Sequence, residues 1–162
     1  MIPDIKKILY ATDLSQNAVH AFGYAASLAN RYDAKITILH VLEDISPTST
    51  IQIAQILGKE KWEEIQHQSR QDVVDTMGRR LEAFCTEMET SMQECPFLVE
   101  EKVVRQGNPA ELILKEAVDR NSDLIVMGTH GQGIFADMMM GSTARRVVRR
   151  SSIPVVTVRL PS

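Results

Sequence analysis

Short apolar runs alternate along this chain with segments whose apolar residues recur every three or four positions. The runs cover residues 5–10, 35–41, 97–104, 123–127 and 153–158, and each has the length and apolar content of a buried strand. Helical spacing separates them, and Ser15 and Asn108 stand where the caps of two of these helices are expected. Continuous apolar strands that alternate with helices predict an α/β fold, in which helices cover both faces of a single open five-stranded parallel sheet.

The connections between the strands restrict their order in the sheet. Right-handed crossovers limit the topology. If strands one, two and three are successive neighbours, the chain then reverses direction and strand four lies on the other side of strand one, which gives the order 3-2-1-4-5. Ligands of such sheets bind at the carboxyl ends of the strands, where the order reverses. That point lies between strands one and four, and it brings Ala11, Thr12 and Asp13 next to Met127 and Gly128.

The least regular part of the pattern covers about residues 46–60. Pro47, with serine and threonine neighbours, indicates a loop at its start. The spacing over 51–57 predicts a short amphipathic helix that Gly58 ends. A long helical pattern follows over about 61–92. We interpret 46–60 as the variable segment of the chain and leave its mobility open.

A glycine-rich motif lies between the fourth predicted strand and the last helix. It consists of Gly128-Thr129-His130-Gly131, nine further residues, and Gly141-Ser142. Glycine lets the backbone turn and approach a ligand closely, and the free N–H groups of a helix N-terminus attract an anion. This order of strand, loop and helix predicts a phosphate site on the N–H groups of Gly131, Gly141 and Ser142; an ordinary loop that binds nothing is the alternative. Thr143 follows in the first turn, and Ser142 is expected to cap the helix.

The spacing G-x2-G-x9-G-S resembles the ATP-binding signature of the universal stress proteins. Further motifs agree with that family, namely Ile8-Leu9-Tyr10-Ala11-Thr12-Asp13, Gly107-Asn108-Pro109, Met127-Gly128-Thr129-His130-Gly131 and Ser152-Ile153-Pro154-Val155-Val156. The resemblance covers nearly the whole chain and implies a Rossmann-like fold of the adenine nucleotide alpha hydrolase type. It also implies a regulatory module of the stress response that binds ATP, with ADP and AMP as alternatives.

The resemblance also implies which residues form the nucleotide site. They are Ala11, Thr12, Asp13, Val41, Met127, Gly128, His130, Gly131, Gly141, Ser142 and Thr143. In that family the position of Val41 contacts adenine, those of Asp13 and Gly128 contact the ribose, and the later glycines with Ser142 contact the phosphates. From its residue type alone, Asp13 could instead bond the adenine amine, help to hold Mg²⁺ or favour the first helix by its charge. His130 could contact a phosphate or act in catalysis, but we favour a side chain that orders the loop.

The chain lacks the sequence signs of efficient phosphoryl transfer. It has no G-x4-G-K-[ST] motif, and no Ser-His-Asp set or carboxylate pair can be placed at the cleft, so no catalytic residue and no protein metal ligand is assigned. N–H donors and one carboxylate suffice to bind ATP, with Mg²⁺ or Mn²⁺ held mainly by the phosphates, but they stabilise a transition state poorly. We expect slow hydrolysis or none. The alternatives are a slow ATPase or a phosphoryl- or adenylyl-transferring enzyme, and an interaction protein whose loop binds no nucleotide.

Composition and length limit which partners, which cellular compartment and how many domains are expected. A net charge of −3 and an aromatic content of 5% argue against nucleic-acid binding, which favours a basic surface and stacking rings. No apolar run approaches the roughly 20 residues of a membrane span, and the start of the chain lacks the features of a signal peptide, so a cytoplasmic protein is expected. The length of 162 residues predicts a single domain over 1–162.

The fifth predicted strand, from Ile153 to Val158, would lie at an edge of the sheet. An apolar edge of this kind invites pairing with another chain, and Pro154 and Arg159 protect it only in part. Antiparallel pairing with the same strand of a second copy would cover the edge with two-fold symmetry. The family resemblance likewise implies a homodimer formed by this strand.

Overall fold

The computed structural model describes residues 1–44, 47–64, 82–87, 98–130 and 140–159, together with positions 72, 75, 79 and 90. The strands are β1 (Lys7–Thr12), β2 (Lys35–Leu42), β3 (Val99–Gln106), β4 (Leu124–Gly128) and β5 (Val155–Val158). The helices are α1 (Gln16–Tyr32), α2 (Pro47–Leu57), α3 (Pro109–Asp119) and α4 (Ser142–Arg150), and residues 59–64 and 82–87 are also helical. None of the helices in the described part of the chain combines the length and the apolarity that a bilayer crossing requires.

The five strands form one parallel sheet in the order β3-β2-β1-β4-β5, which confirms the predicted topology. The first four strands continue further toward their carboxyl ends than the apolar runs indicate. For example, β1 pairs with β2 as far as Thr12 opposite His40. The ladder needs only backbone groups, so pairing persists where the side chains become polar. These extended strand ends carry the candidate site.

Alternate strand residues supply the two halves of the core. One half lies under α1 and the helical residues 82–87, and it includes Tyr10, Ile38 and Val126. The other half lies under α3 and α4, and it includes Leu39 and Ile125. Because side chains alternate between the faces of a strand, both faces of the central strands are buried, as the continuous apolar runs predict.

Two of the predicted helix starts are confirmed by their capping bonds. The hydroxyl of Ser15 accepts a hydrogen bond from the N–H of Ala18 at 3.2 Å. The side-chain oxygen of Asn108 accepts one from the N–H of Glu111 at 3.1 Å, and Pro109 is the first helical residue. These bonds satisfy N–H groups that a helix start otherwise leaves without partners.

The predicted cap of the last helix is wrong by one residue. Gly141, with φ −56° and ψ 154°, occupies the capping position of α4, and Ser142 is the first helical residue. Capping requires an extended backbone, which Gly141 has and Ser142 does not. Within the described residues, no side chain bonds to the first N–H groups of α4, and no acidic residue lies in its first turn.

The start of α2 also differs from the sequence prediction. Pro47 is the first residue of this helix and not part of a loop, because its fixed φ suits the first helical position. Gly58 ends α2 as predicted: its φ is 85°, and its N–H donates to the carbonyl of Ala54 at 2.9 Å. Of the long helical pattern over 61–92, residues 61–64 and 82–87 are described as helix, and most of the remainder lies outside the described residues.

A buried glutamate fastens α3 to the end of β3. The carboxylate of Glu116 accepts hydrogen bonds from Arg105 Nε at 2.7 Å and from Arg120 Nε at 2.8 Å, and Arg120 also bonds to Glu101. Burial opposes the charged form of Glu116, but the two guanidinium groups outweigh it and lower the pKa of the carboxyl below its ordinary value of 4.5. The network holds the helix that carries Pro109 and Ile113, and both of these line the candidate site.

Replacing this carboxylate should cost stability in a pH-dependent way. Glu116→Gln is expected to lower the free energy of unfolding at pH 7 by about 1–2 kcal/mol, because one charged hydrogen-bond partner of two arginines is lost. The stabilisation by Glu116 is complete above the pKa of the unfolded chain and is lost as the pH falls through the lowered folded pKa. Urea unfolding of both proteins from pH 7 down to pH 3 should therefore show the difference shrinking in acid.

Glu111→Gln is the matched control for this measurement. Glu111 lies on the same helix, is 65% exposed and has Arg150 3.8 Å away. Exposed pairs of this kind contribute little, so its replacement should change the free energy of unfolding by less than about 0.5 kcal/mol. An equal loss in both variants, or a Glu116→Gln deficit that persists unchanged in acid, would contradict a role for the Glu116 charge.

Candidate functional site

A cleft of about 1000 Å³ opens at the carboxyl ends of β1, β2 and β4. Among the predicted site residues, Gly131 lies outside the described part of the chain. All the others line this cleft: Ala11, Thr12, Asp13, Val41, Met127, Gly128, His130, Gly141, Ser142 and Thr143. The point where the strand order reverses and the start of α4 therefore meet in one cavity, as expected for the ligand site of an open parallel sheet.

The turn after β1 fixes the carboxylate of Asp13. Its Oδ1 accepts hydrogen bonds from the N–H of Ser15 at 3.0 Å and from the Ser15 hydroxyl at 2.6 Å. Between them, Leu14 adopts the left-handed conformation with φ 63°, and its N–H donates to the Thr12 hydroxyl at 3.0 Å. The second oxygen, Oδ2, is buried and has no hydrogen-bond partner among the described residues. A buried carboxylate oxygen without a partner is costly, so Oδ2 is a site for an incoming donor.

A buried tyrosine links the two elements on either side of this turn. The hydroxyl of Tyr10 donates a hydrogen bond to the carbonyl of Ala18 in the first turn of α1. Burial raises the pKa of the Tyr10 phenol, so the hydroxyl stays protonated and remains a donor. This bond joins β1 to the first turn of α1, and Asp13 lies in the turn between them.

Two backbone hydrogen bonds of Thr129 hold the segment after β4 against the start of α4. Thr129 donates its N–H to the carbonyl of Val158 at 3.0 Å, and its carbonyl accepts the N–H of Gly141 at 2.7 Å. A Cβ at Gly141 would lie 3.2 Å from the Thr129 carbonyl oxygen, so glycine permits this close approach. These two bonds set the first N–H groups of α4 beside the end of β4. These groups have no side-chain cap among the described residues and suit an anion.

His130 is oriented by its neighbour in the sequence. The Thr129 hydroxyl and the Nδ1 atom of His130 are 2.8 Å apart. That this side chain orders the loop stays a prediction, because residues 131–139 lie outside the described part of the chain. The other ring nitrogen, Nε2, is buried and has no hydrogen-bond partner in the described part of the chain. Such an atom fits a ligand group with complementary hydrogen bonding.

The end of β2 presents backbone groups to the cleft. The N–H of Gly107 donates to the carbonyl of Leu42 at 2.8 Å, so the backbone groups of Leu42 face β3. Backbone groups of successive residues face opposite sides of a strand, so the N–H and C=O of Val41 face the side on which β1 lies. The pairing of β1 with β2 ends at Thr12 opposite His40, so β1 does not pair with Val41. The neighbouring His40 is 8% exposed, and its Nδ1 lies 2.8 Å from the Thr12 carbonyl oxygen, which ties the two strand ends together.

Sequence reasoning missed the side walls of the cleft. They come from α3 and from the helical residues 82–87, and they include Pro109, Ile113, Ala83, Phe84 and Glu87. Apolar residues at helical spacing have the same pattern whether they face a core or a cavity. The one local signal was Pro109 directly after the glycine and the cap of α3, which marks a helix start at a strand end.

Acidic residues dominate the charge of the described lining. Asp13, Glu43 and Glu87 line the cleft, whereas none of the described lining residues is a lysine or an arginine. Neutral N–H groups and the dipole of α4 are therefore the positive features of the cavity. In the described part of the chain, no group of three or more histidine, cysteine, aspartate or glutamate side chains is arranged to hold a metal ion.

The comparison with known families agrees with this geometry. The family model described as the universal stress protein family matches residues 4–159. The chain belongs to the universal stress protein family. One relative, universal stress protein MJ0577 of Methanocaldococcus jannaschii, is 27% identical over 158 residues that cover 95% of this chain and 94% of that protein.

Solved structures of universal stress proteins share the fold. The structure of MJ0577 covers 99% of this chain and 99% of its own, with 24% identity and a TM-score of 0.69. A universal stress protein in complex with cAMP covers 97% and 98%, with 19% identity and a TM-score of 0.56. A universal stress protein of Archaeoglobus fulgidus in complex with dAMP covers 96% and 98%, with 20% identity and a TM-score of 0.56. Two of these family structures therefore hold adenine nucleotides.

Proposed function

We propose that this universal stress protein binds an adenine nucleotide, foremost ATP, in the cleft between β1 and β4. It would act as a nucleotide-dependent regulatory module of the stress response with little or no turnover. The observation that carries the proposal is the buried, unpartnered Oδ2 of Asp13, which lies at the point where the strand order reverses. The complexes of other universal stress proteins with cAMP and dAMP support the choice of adenine.

The chemistry of the cleft suits the three parts of a nucleotide. Val41, Met127 and Ile113 offer an apolar surface for the base, and the backbone of Val41 offers hydrogen bonds to its edge. A ribose hydroxyl would donate to Oδ2 of Asp13 while the sugar lies against Gly128. A Cβ at Gly128 would have only ordinary contacts with the protein, so the fold itself does not demand glycine there.

The phosphates would bind at the start of α4. Its first N–H groups, from Ser142 and Thr143 beside Gly141, need acceptors, and the helix dipole favours a negative charge there. The glycine motif predicts a further N–H from Gly131, which lies outside the described residues. This helix start, which no described side chain caps, is the strongest support for a ligand that carries phosphate.

A divalent cation would accompany a triphosphate. Because the described lining is acidic and has no lysine or arginine, the charge of ATP must be compensated by Mg²⁺ or Mn²⁺ held mainly by the phosphates. We expect Mg²⁺ to raise the affinity for ATP by about tenfold or more, but to leave the affinity for AMP within about twofold. Titration calorimetry with Mg²⁺ and with EDTA measures both; equal responses of ATP and AMP would contradict this role of the cation.

One observation favours a second candidate function, a slow ATPase or an enzyme that transfers a phosphoryl or adenylyl group. Nε2 of His130 is buried, lacks a partner among the described residues and belongs to the glycine motif. A histidine at that place could exchange a proton with a reacting group. Release of phosphate or AMP from ATP that is lost in His130→Ala, with the affinity for ATP retained, would establish this function instead.

The proposal is tested first by the nucleotide that the protein itself carries. Mass spectrometry of the supernatant from freshly purified, denatured protein should find ATP, and calorimetry should show preference for ATP over GTP. ADP or AMP in its place would favour the enzymatic alternative and call for kinetics. Neither a bound nucleotide nor binding of added ATP with Mg²⁺ would overturn the proposal and leave an interaction protein.

We also propose a homodimer formed by β5. The two edges of the sheet differ: β3 carries Glu100, Glu101 and Lys102, whereas Val155 and Val156 of β5 are apolar and half-buried. Charged side chains protect an edge strand from pairing, and an apolar edge invites it. Pairing of β5 with β5 of a second copy would give a continuous ten-stranded sheet with two-fold symmetry.

A further inference from the structure

Arginines cover the solvent-facing side of α4. This nine-residue helix carries four of them and no other charged residue, and all four are exposed. A helix turns by about 100° per residue, so Arg145, Arg146 and Arg149 lie on the side opposite the buried Ala144 and Val147. We call these three arginines the α4 arginine face. The helix packs on the same half of the core as α3, on the opposite side of the sheet from α1.

Among the described residues, the α4 arginine face has no acidic partner. None of its three arginines forms an ion pair there. The fourth arginine of the helix, Arg150, lies 3.8 Å from Glu111 of α3. In contrast, Arg105 and Arg120 both bond to Glu116, so the fold itself uses these two guanidinium groups. The α4 arginine face is therefore available to a partner.

The cluster of arginines is unfavourable for the helix that carries it. Arg145 and Arg149 are four residues apart, and like charges at this spacing repel each other and destabilise a helix. Arg145 also lies just after the first turn, near the helix end whose dipole disfavours a cation. Carboxylates bound on this face would offset the repulsion, because each would lie between positive charges.

We propose that the α4 arginine face binds an acidic segment of another protein. This inference goes beyond nucleotide binding and rests neither on it nor on the proposed dimer. Guanidinium groups form paired hydrogen bonds with carboxylates. The rise between Arg145 and Arg149 is about 6 Å, and side chains at alternate positions of an extended segment are about 6–7 Å apart. A segment with a glutamate or aspartate at every second position would therefore contact both arginines.

The distribution of charge favours a short acidic segment over a membrane or a nucleic acid. The chain has a net charge of −3 and α4 alone has +4, so the other residues carry −7. A lipid surface or a duplex extends beyond α4 and would meet that negative excess, whereas a segment as long as the helix, about 13 Å, would not. Membrane-surface helices also need an exposed apolar face, and the apolar side of α4, with Ala144 and Val147, is buried.

Reversing one charge of the α4 arginine face should weaken the binding of an acidic peptide. The probe is a fluorescein-labelled peptide of about ten residues in which glutamate and serine alternate. Fluorescence anisotropy at about 50 mM NaCl, without nucleotide, measures its dissociation constant. We expect Arg149→Glu to raise this constant by about tenfold, because the variant removes a cation and adds a charge that repels the peptide. Arg149→Gln, which only removes the cation, should raise it by about threefold.

Arg31→Glu is the matched control for the charge reversal. Arg31 is also exposed and also lies in the last turn of its helix, α1, which covers the other face of the sheet. The control changes the net charge and the charge at a helix end in the same way as Arg149→Glu. It should therefore alter the dissociation constant by less than about twofold, and circular dichroism should show all the variants folded.

The same measurements can overturn the proposal. A peptide that does not bind the wild type, or an equal loss of affinity in Arg149→Glu and Arg31→Glu, would exclude a specific acidic partner for this face. Tighter binding of phosphatidylserine vesicles or of duplex DNA, lost in Arg149→Glu, would assign the face to a membrane or a nucleic acid instead. Because nucleotide is absent throughout, a failure of the proposed ATP binding would leave these results unchanged.

Discussion

Asp13→Asn is expected to lower the affinity for ATP by about 10- to 100-fold without lowering Tm. Asparagine keeps an oxygen at the position of Oδ1, so the bonds from the N–H and hydroxyl of Ser15 are retained. It replaces the unpartnered Oδ2 by an NH₂ group, which cannot accept a hydrogen bond from a ribose hydroxyl. A hydrogen bond to a charged group contributes about 1.5–3 kcal/mol, which gives the expected loss of affinity.

The same substitution should leave the free protein as stable as before, or more stable. A buried carboxylate oxygen without a partner costs free energy, and a neutral amide reduces that cost. Differential scanning fluorimetry without nucleotide should therefore show an equal or higher Tm. Loss of affinity together with loss of Tm would instead indicate that Asp13 acts mainly on the turn after β1.

Two controls make the prediction specific to the ribose contact. Asp4→Asn is the matched change at an exposed carboxylate near the amino-terminal end of β1, and its affinity for ATP should equal that of the wild type. The wild type should also bind 2′-deoxy-ATP or 3′-deoxy-ATP less tightly than ATP, and Asp13→Asn should not distinguish the analogue from ATP. Wild-type affinity in Asp13→Asn would exclude the contact.

Thr157→Pro is expected to raise the dissociation constant of the proposed β5 dimer by about 100-fold or more. The carbonyl of Pro154 accepts a bond from Ile125 of β4, and that of Val158 accepts one from Thr129 directly after β4. The backbone groups of Val155 and Thr157 therefore face away from the sheet. A proline at 157 thus removes an outward N–H and leaves the bonds between β4 and β5 in place. Light scattering over a range of protein concentrations, with calorimetry of ATP binding alongside, should show monomers that still bind the nucleotide.

Thr157→Val is the control for the edge. Valine has nearly the shape of threonine and keeps the backbone N–H, so its dimer should be as tight as that of the wild type. Proline and valine variants that dimerise equally would show that β5 does not pair with a second copy. Monomers in both would assign the effect to the hydroxyl and not to the backbone.

Most of the fold could be predicted because its signals are local. Apolar runs mark the strands, Ser15 and Asn108 mark two helix starts, and right-handed connections then leave few orders for five strands. The strand ends were harder to predict, because Thr12 and Gln106 pair through their backbones while their side chains have lost the apolar pattern. Similarly, the position of Ser142 beside a glycine suggested a cap, but the extended backbone of Gly141 takes that place.

Some residues of the candidate site could likewise be predicted from the sequence, and others could not. The residues of the glycine motif and of the end of β1 could be predicted, because each belongs to one short segment with a known backbone geometry. Phe84 and Ile113 could not, since only the packing of their helices on the sheet turns them toward the cleft. Nothing in the sequence marks Leu14 as left-handed, yet its φ of 63° lets the chain turn so that the Asp13 carboxylate is held by Ser15.

The charged edge of β3 limits how large an assembly this sheet can form. A sheet with two open apolar edges can add copies without end, as fibrils do. Glu100, Glu101 and Lys102 close one edge of this sheet, so a single pairing through β5 uses up the only apolar edge strand in the described sheet. In the proposed dimer, growth would stop at two copies, and accumulation of the protein to high concentration need not lead to fibres.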